Sequence, residues 1–406
     1  MPVRKVSFRC SIFSLSITLK ELTVMDKNIY LDHNATSPLL PEAQTAMSDA
    51  AEKTLGNPSS PHWAGREAKI LLEEARGSLA KSLGAEPREI IFTSGGSECN
   101  NAVLRQLSSA PGKQHLITSK IEHPSVLETC RILAKQPNIG LTELPVDTSG
   151  LIAPESLKKG IRSKTSLISL MTANNETGCL QPIEELGQIA REHEITFHTD
   201  LVQASGKIKY DLNKSGVDFA SVTSHKLGGP RGIGLLYARQ GTPFESIISG
   251  GKQERVRRAG TENVTLAVGF AKAFEWYLEN QERLQNQYSH FRENVLGRIN
   301  TIDGFFLNTN LDQSLQHTFN FGFSGISAES LLISLDLDGV AVSTGSACSS
   351  GAMEASHVLL AMGRSREEAK SSLRVSWGWS TTMDEIDYFL ERLTHHIQRL
   401  QHKQAN

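Results

Sequence analysis

Between residues 60 and 240, short apolar runs alternate with stretches whose apolar residues recur every three or four positions. The runs IIFTS (90–94), HLITS (115–119), SLISLMTA (166–173), TFHTD (196–200), DFASVTSH (218–225) and GIGLLYA (232–238) have the length and composition of buried strands. From 62 to 83, Ala64, Ala68, Leu71, Leu72, Ala75 and Leu79 share one helical face, and 184–192 reads as another helix. The alternation predicts an α/β fold, a mainly parallel sheet with helices on both faces. Such sheets carry their sites at the carboxyl ends of the strands.

The pattern changes after residue 263. A long helical stretch, broken once, is predicted from about 263 to 300. TFNFGF (318–323), VAVSTG (340–345) and SLRVSWG (372–378) follow as strands, and a closing helix runs from 383 to about 402. This reads as a smaller α+β domain. The first 24 residues stand apart: Arg4, Lys5, Arg9 and Lys20 are basic, and no acid precedes Glu21. Their apolar residues fall mostly on odd positions, which suits a strand better than an amphipathic targeting helix. Residues 1–24 are therefore expected to be a disordered leader or extension rather than an organellar signal.

Composition narrows the class. Of 406 residues, 39% are hydrophobic and 21% charged, enough apolar material for two cores. The 42 basic and 44 acidic side chains leave a net charge of −2, so no nucleic-acid partner is expected. No run of 18 apolar residues occurs, and no membrane partner is expected. Cys10, Cys99, Cys130, Cys179 and Cys348 are scattered without a CxxC, which reads as free thiols in a reducing compartment, here the cytoplasm. No metal site is expected.

Polar clusters at the strand ends carry the chemistry. Lys226 follows the run DFASVTSH. A lysine there is by default a structural cap with its amine reaching water. The competing reading is an amine that forms a Schiff base with an aldehyde cofactor. Asp200 ends the run TFHTD; alone it is an ordinary helix cap, but facing the same crevice it fits a pyridinium nitrogen. Ser94-Gly95-Gly96-Ser97 follows IIFTS and opens a helix, a place where backbone N–H groups and a hydroxyl cradle phosphate. His123, after HLITS, is placed to stack on a flat ring and move protons. Cys348 lies in the Ser/Gly-rich stretch STGSACSSG (343–351), a setting for an accessible, reactive thiol rather than a buried one.

Taken together and in order, YLDHNATSP (30–38), GNPSSPH (56–62), IIFTSGGSECNN (90–101), NNETG (174–178), HTDLVQASGK (198–207), SHKLGGPRGIG (224–234), RRAGTENV (257–264), STGSACSSG (343–351) and SSLRVSWG (371–378) make the chain resemble the NifS/IscS-type cysteine desulfurases of the class V aminotransferase group. The resemblance runs from Tyr30 to about residue 395.

It implies a fold type I pyridoxal-phosphate transferase. A large domain (40–281) would hold a mainly parallel seven-stranded sheet, and residues 25–39 with 282–406 would form the small domain with the Cys loop. It implies pyridoxal 5'-phosphate as cofactor and Lys226 as the lysine that carries it. Asp200 would pair with the ring nitrogen, Gln203 with the ring hydroxyl, and His123 with the ring face. Gly96, Ser97, Thr223 and His225 would hold the phosphate, and Thr261 would reach the phosphate of a second subunit in a homodimer. Asn175 would contact cofactor and substrate, and Arg374 would clamp the carboxylate of L-cysteine. Cys348 would take the sulfur as a persulfide, release alanine, and pass sulfur to an acceptor protein, an iron–sulfur scaffold or a thiolation protein, with a transient iron–sulfur contact through Cys348. The turn reads Gly-Gly-Ser where many relatives have Gly-Ala-Thr, which keeps a hydroxyl. The chain ends soon after its closing helix, so the resemblance leaves the acceptor open. A class V aminotransferase, which needs no Cys348, and a selenocysteine lyase are the alternatives.

Overall fold

A computed structural model describes residues 28–344 and 354–404. The readings for residues 1–24 and for Cys348 fall outside the described residues.

The apolar runs form the centre of the molecule. Strands β1 (Ile90–Thr93), β2 (Gln114–Ser119), β3 (Ile139–Leu144), β4 (Thr165–Ser169), β5 (Thr196–Asp200), β6 (Phe219–Thr223) and β7 (Gly234–Ala238) make one seven-stranded sheet. Its spatial order is β1-β7-β6-β5-β4-β2-β3. Only β7 runs against the others. Every residue of β1, β6 and β7 is buried, which explains their continuous apolar character. The carboxyl ends of β1, β2, β4, β5 and β6 therefore lie along one edge.

Two differences from the sequence pattern have simple causes. β3 carries Gly140, Thr142 and Glu143 and is half-exposed at the sheet edge, so it shows no apolar run. Beyond β4, residues 170–173 continue beside β5, with Leu170 N and Thr172 N donating to the His198 and Asp200 carbonyls.

The long helical stretch is two helices, Val264–Glu279 and Gln281–Ile299, broken at Asn280. The Asn280 side chain donates back to the Trp276 carbonyl at 2.9 Å, a local bond that competes with continuing the helix. Beyond it, β8 (Phe305–Leu307), β9 (Thr318–Phe323) and β10 (Ser372–Ser376) form an antiparallel sheet in the order β10-β9-β8. Its core is aromatic: Phe319 stacks on Trp377 with ring centroids 6.4 Å apart, and Phe291 meets Trp377 edge-on at 6.0 Å. The free edge of β10 takes up the N-terminal segment. Ser376 N donates to Leu31 O at 2.8 Å, and Arg374 exchanges backbone bonds with Ser343. Just upstream, Ile29–Tyr30 pairs in parallel with Val340–Ala341. No helix among the described residues is long and apolar enough to cross a membrane.

Candidate active site

Strand ends and turns deliver the site. β6 passes into a single 3-10 turn, His225–Leu227, which aims Lys226 across the sheet edge. Gly228 closes the turn at φ 65; a Cβ there would come within 2.9 Å of Leu40. β1 leads through Gly95 into the helix Gly96–Leu104. β7 passes so close that a Cβ on Gly234 would sit 2.7 Å from Gly95 Cα. β2 leads to His123, whose ring caps the helix Pro124–Leu133.

These elements enclose a cavity of about 380 Å³. Lys226, Asp200, His123, Gln203 and Asn175 line it, as do Arg374 from β10 and Gly96, Ser97, Thr223 and His225. A space of about 370 Å³ shares Gly96, Ser97, Thr223 and His225 with it and adds Arg231. Thr261 is exposed and does not line the cavity of its own chain. Its loop is tied to the Gly-Gly-Ser turn by Arg258, whose Nε donates to Glu98 Oε1 at 3.0 Å. Ser343, bonded to Arg374, and His357, whose Nε2 donates to the Glu122 carbonyl at 3.0 Å, flank the segment that holds Cys348.

The Lys226 amine donates to the carbonyls of Asn34 and of Ala35, the latter at 2.7 Å. Burial, with the Arg374 charge nearby, brings its pKa down to about 8 against the pull of Asp32 and Asp200. Asp200 is buried; Oδ2 accepts from Asn100 Nδ2 at 2.8 Å and Oδ1 from Val202 N at 3.0 Å. Ser125 N donates to His123 Nδ1 at 3.1 Å, which leaves the proton of a neutral ring on Nε2. Burial keeps that ring below its usual pKa, opposed by Asp200 and reinforced by Lys226. Burial also lowers His225 to about 4, with Lys226 and Arg231 adding to it.

Asn34, Ala35, Asn100 and Ser125 also line the cavity, and sequence reasoning gave them no role. For Asn100 a signal existed: it follows Gly96 by four residues, one helical turn, and so shares its face.

These residues fit pyridoxal 5'-phosphate. Gly96 sits where a Cβ would meet Val202 at 2.8 Å, and helix N–H groups, Ser97, Thr223, His225 and Arg231 make a donor set for a phosphate dianion. At the other end, the buried Gln203 Oε1 and Asn100 Oδ1 have no partner among the described residues. Orphaned polar atoms in a cavity wall signal a missing ligand.

Residues 29–389 match the Aminotransferase class-V family. The chain is 45% identical over 383 residues to the cysteine desulfurase IscS of Dictyoglomus turgidum, covering 93% of this chain and 96% of that one. It is 38% identical over 391 residues to the mitochondrial cysteine desulfurase of Arabidopsis thaliana, covering 95% and 86%. Among solved structures, a NifS-like protein superposes with a TM-score of 0.86 at 35% identity, covering 92% and 100%. SspA in complex with cysteine does so with a TM-score of 0.76 at 34% identity, covering 86% and 98%. Similarity this high over nearly the full length of both partners assigns the chain to the class V aminotransferases, among the cysteine desulfurases of the IscS and NifS type.

Proposed function

We propose that this chain converts L-cysteine to L-alanine and carries the sulfur away as a persulfide on Cys348. One observation carries the reading: the Lys226 amine and the Asp200 carboxylate share a cavity whose wall is continuous with both flanks of the Cys348 segment. Pyridoxal 5'-phosphate is the cofactor of this family, and when bound it supplies an electron sink for the bond broken on the substrate.

The chain's own residues do the rest. Asp200, held by Asn100 and the Val202 N–H, keeps a fixed negative charge for the ring nitrogen. Gly96, Ser97, Thr223 and His225 would hold the phosphate, His123 would cover the ring, and Gln203 would meet its hydroxyl. Arg374, with Asn175, would bind the substrate carboxylate and orient the amino group toward Lys226. Near neutral pH the Lys226 Nζ can both take and return a proton, because burial has brought it close to that range. The Cys348 thiolate attacks the substrate sulfur. The C–S bond breaks, its electron pair stays with carbon, and a proton from Lys226 Nζ completes alanine. Sulfur leaves bonded to Cys348 Sγ as a persulfide.

The chain would divide into a large domain (40–281) and a small one (25–39 with 282–406). The pairing of Ile29–Tyr30 with Val340–Ala341 supports that split. In a homodimer, Thr261 would complete the phosphate site of the second copy; its exposure and its tether to the phosphate turn support this. The acceptor would be a cytoplasmic iron–sulfur scaffold or thiolation protein.

Anaerobic incubation with L-cysteine and a reductant tests the reading. Alanine and sulfide should appear in equal amounts. Pyruvate and ammonia would point to β-elimination instead, and a Cys348→Ser variant turning over at the wild-type rate would point to an aminotransferase.

A further inference from the structure

Apart from its pull on the Lys226 amine, Asp32 takes no part in the chemistry above, yet its placement is tightly specified. The Tyr30 hydroxyl donates to the Asp32 carbonyl at 3.0 Å and the Thr36 carbonyl at 2.9 Å, closing the turn around it. Asp32 lies opposite Ser376 across the free edge of β10, two residues from Arg374 and so on the same side of the strand. Its Oδ1 accepts from Arg374 Nη2 at 2.6 Å, and the two side chains are only 20% and 5% exposed.

The geometry around Arg374 shows what this bond does. A planar guanidinium is a rigid fork, so hydrogen bonds to two of its nitrogens fix its plane. Nη2 is held by Asp32, and Nη1 by the Asn175 carbonyl at 3.1 Å. Nε is sealed in the wall with no partner among the described residues, so it fixes nothing. The Asn175 carbonyl is a single neutral acceptor that also serves the Asn34 side chain, at 3.0 Å. Asp32 is thus the one charged group bonded to Arg374 among the described residues.

We propose that Asp32 is a positioning residue for substrate recognition: its ion pair with Arg374 sets the guanidinium plane so that the remaining terminal N–H groups face the cavity and receive a carboxylate. This rests on the reading of Arg374 as the carboxylate clamp. A purely structural ion pair would instead tie the N-terminal segment to β10, and its loss would weaken every ligand alike.

The experiment compares L-cysteine with cysteamine, which keeps the thiol and amine and lacks the carboxylate. In the holoenzyme, Asp32→Ala should raise KM for L-cysteine about tenfold or more, the scale of one charge-assisted contact. Its kcat should change much less, and its inhibition constant for cysteamine should stay within about twofold of wild type. Asp32→Asn, which keeps an oxygen acceptor without the charge, should fall between and covers the case in which the alanine variant fails to fold. Equal losses for both ligands, or no loss for L-cysteine, would overturn the proposal. Arg374→Lys tests the underlying reading separately. If it leaves the cysteine-to-cysteamine discrimination intact, the clamp itself is wrong. If it abolishes discrimination while both Asp32 variants keep it, only the role of Asp32 fails.

Discussion

Asn100 Nδ2 lies 2.8 Å from Asp200 Oδ2 and also reaches Ser125 Oγ at 2.9 Å. Ser125 Oγ in turn meets His123 Nδ1 at 2.8 Å. One amide thus links the carboxylate expected under the ring nitrogen to the imidazole expected over the ring face. Asn100→Ala should leave the fold intact and let the Asp200 carboxylate turn. A hydrogen bond to a charged group contributes about 1.5–3 kcal/mol, so cofactor affinity should fall roughly ten- to a hundredfold. Equilibrium dialysis of cofactor against the variant, with far-UV circular dichroism as the folding control, measures this. Unchanged affinity would mean that Asp200 needs no support from Asn100.

The lowered pKa of Lys226 predicts a pH dependence for cofactor uptake. Only a neutral amine attacks an aldehyde, and Lys226 in the cofactor-free protein loses its proton near pH 8, far below an ordinary lysine. The rate of reconstitution, followed by absorbance, should rise with pH and level off above about 8. A rate still climbing steeply beyond pH 10 would show that burial and Arg374 do not act on this amine as argued.

The wall between the Gly-Gly-Ser turn and β7 has no room to spare. A Cβ on Gly234 would lie 2.7 Å from both Gly95 Cα and the Val222 carbonyl. Neither neighbour is the end of a flexible side chain, so Gly234→Ala must push backbone. Overpacking of this kind costs about 1–3 kcal/mol. Because the displaced backbone is the Gly-Gly-Ser turn proposed to hold the phosphate, the variant should melt earlier and also lose cofactor on gel filtration. A lower melting temperature with full cofactor retention would show that the strain relaxes away from the turn.

The strands that carry the site were legible because both their faces are buried and their apolar runs are continuous. That is why the pattern places Asp200 and Lys226 at strand ends. β3 escaped notice because one side of it is wet, and its Gly, Thr and Glu mask the pattern. The roles of Asn34 and Ala35 were not legible for a different reason: they act through backbone carbonyls, which any residue provides. Arg374 was legible only through the family resemblance. Its pairing with Asp32 spans 342 residues in sequence and follows from strand register, which no local pattern reports.

Glu254 and Arg76 form a buried ion pair beneath the loop that carries Thr261. Arg76 Nη1 and Nη2 donate to the Glu254 oxygens at 2.7 and 2.8 Å, and Phe92 N donates to Oε2 at 2.9 Å. Glu254 thus also satisfies a backbone N–H of the edge strand β1. Its own backbone is left-handed, φ 46, as are those of Arg255 and Val256, so this side-chain anchor holds a strained turn in place. Glu254→Gln keeps the shape but breaks the buried pair and leaves Arg76 only the half-exposed Glu73, 3.1 Å from its Nε. The cost should approach the lower end of the about 3–5 kcal/mol typical of a broken buried pair. Thermal melts should show a large loss, whereas Lys214→Ala, an exposed residue with a surface pair to Asp211, should be near neutral.

His198 sits at the centre of the sheet, fully buried, with Nδ1 2.8 Å from Ser169 Oγ and Nε2 2.9 Å from Ser221 Oγ. Burial pushes its pKa down from 6.5 to about 3. Between those values the unfolded chain binds a proton that the folded chain refuses. Stability therefore rises with pH across that window, is complete above about 6.5, and drains away on acidification. One such group contributes about 1.4 kcal/mol per pH unit at full slope. His33 and His225, also lowered by burial, add to the slope in the same direction. His198→Gln keeps hydrogen-bonding atoms at the site and removes the titration. Its stability at pH 7 should be lower, but its fall between pH 6 and pH 4 should be shallower than wild type by about one proton. Chemical denaturation at a series of pH values measures both slopes. Parallel slopes would mean that His198 takes up its proton in the folded sheet as readily as in the unfolded chain.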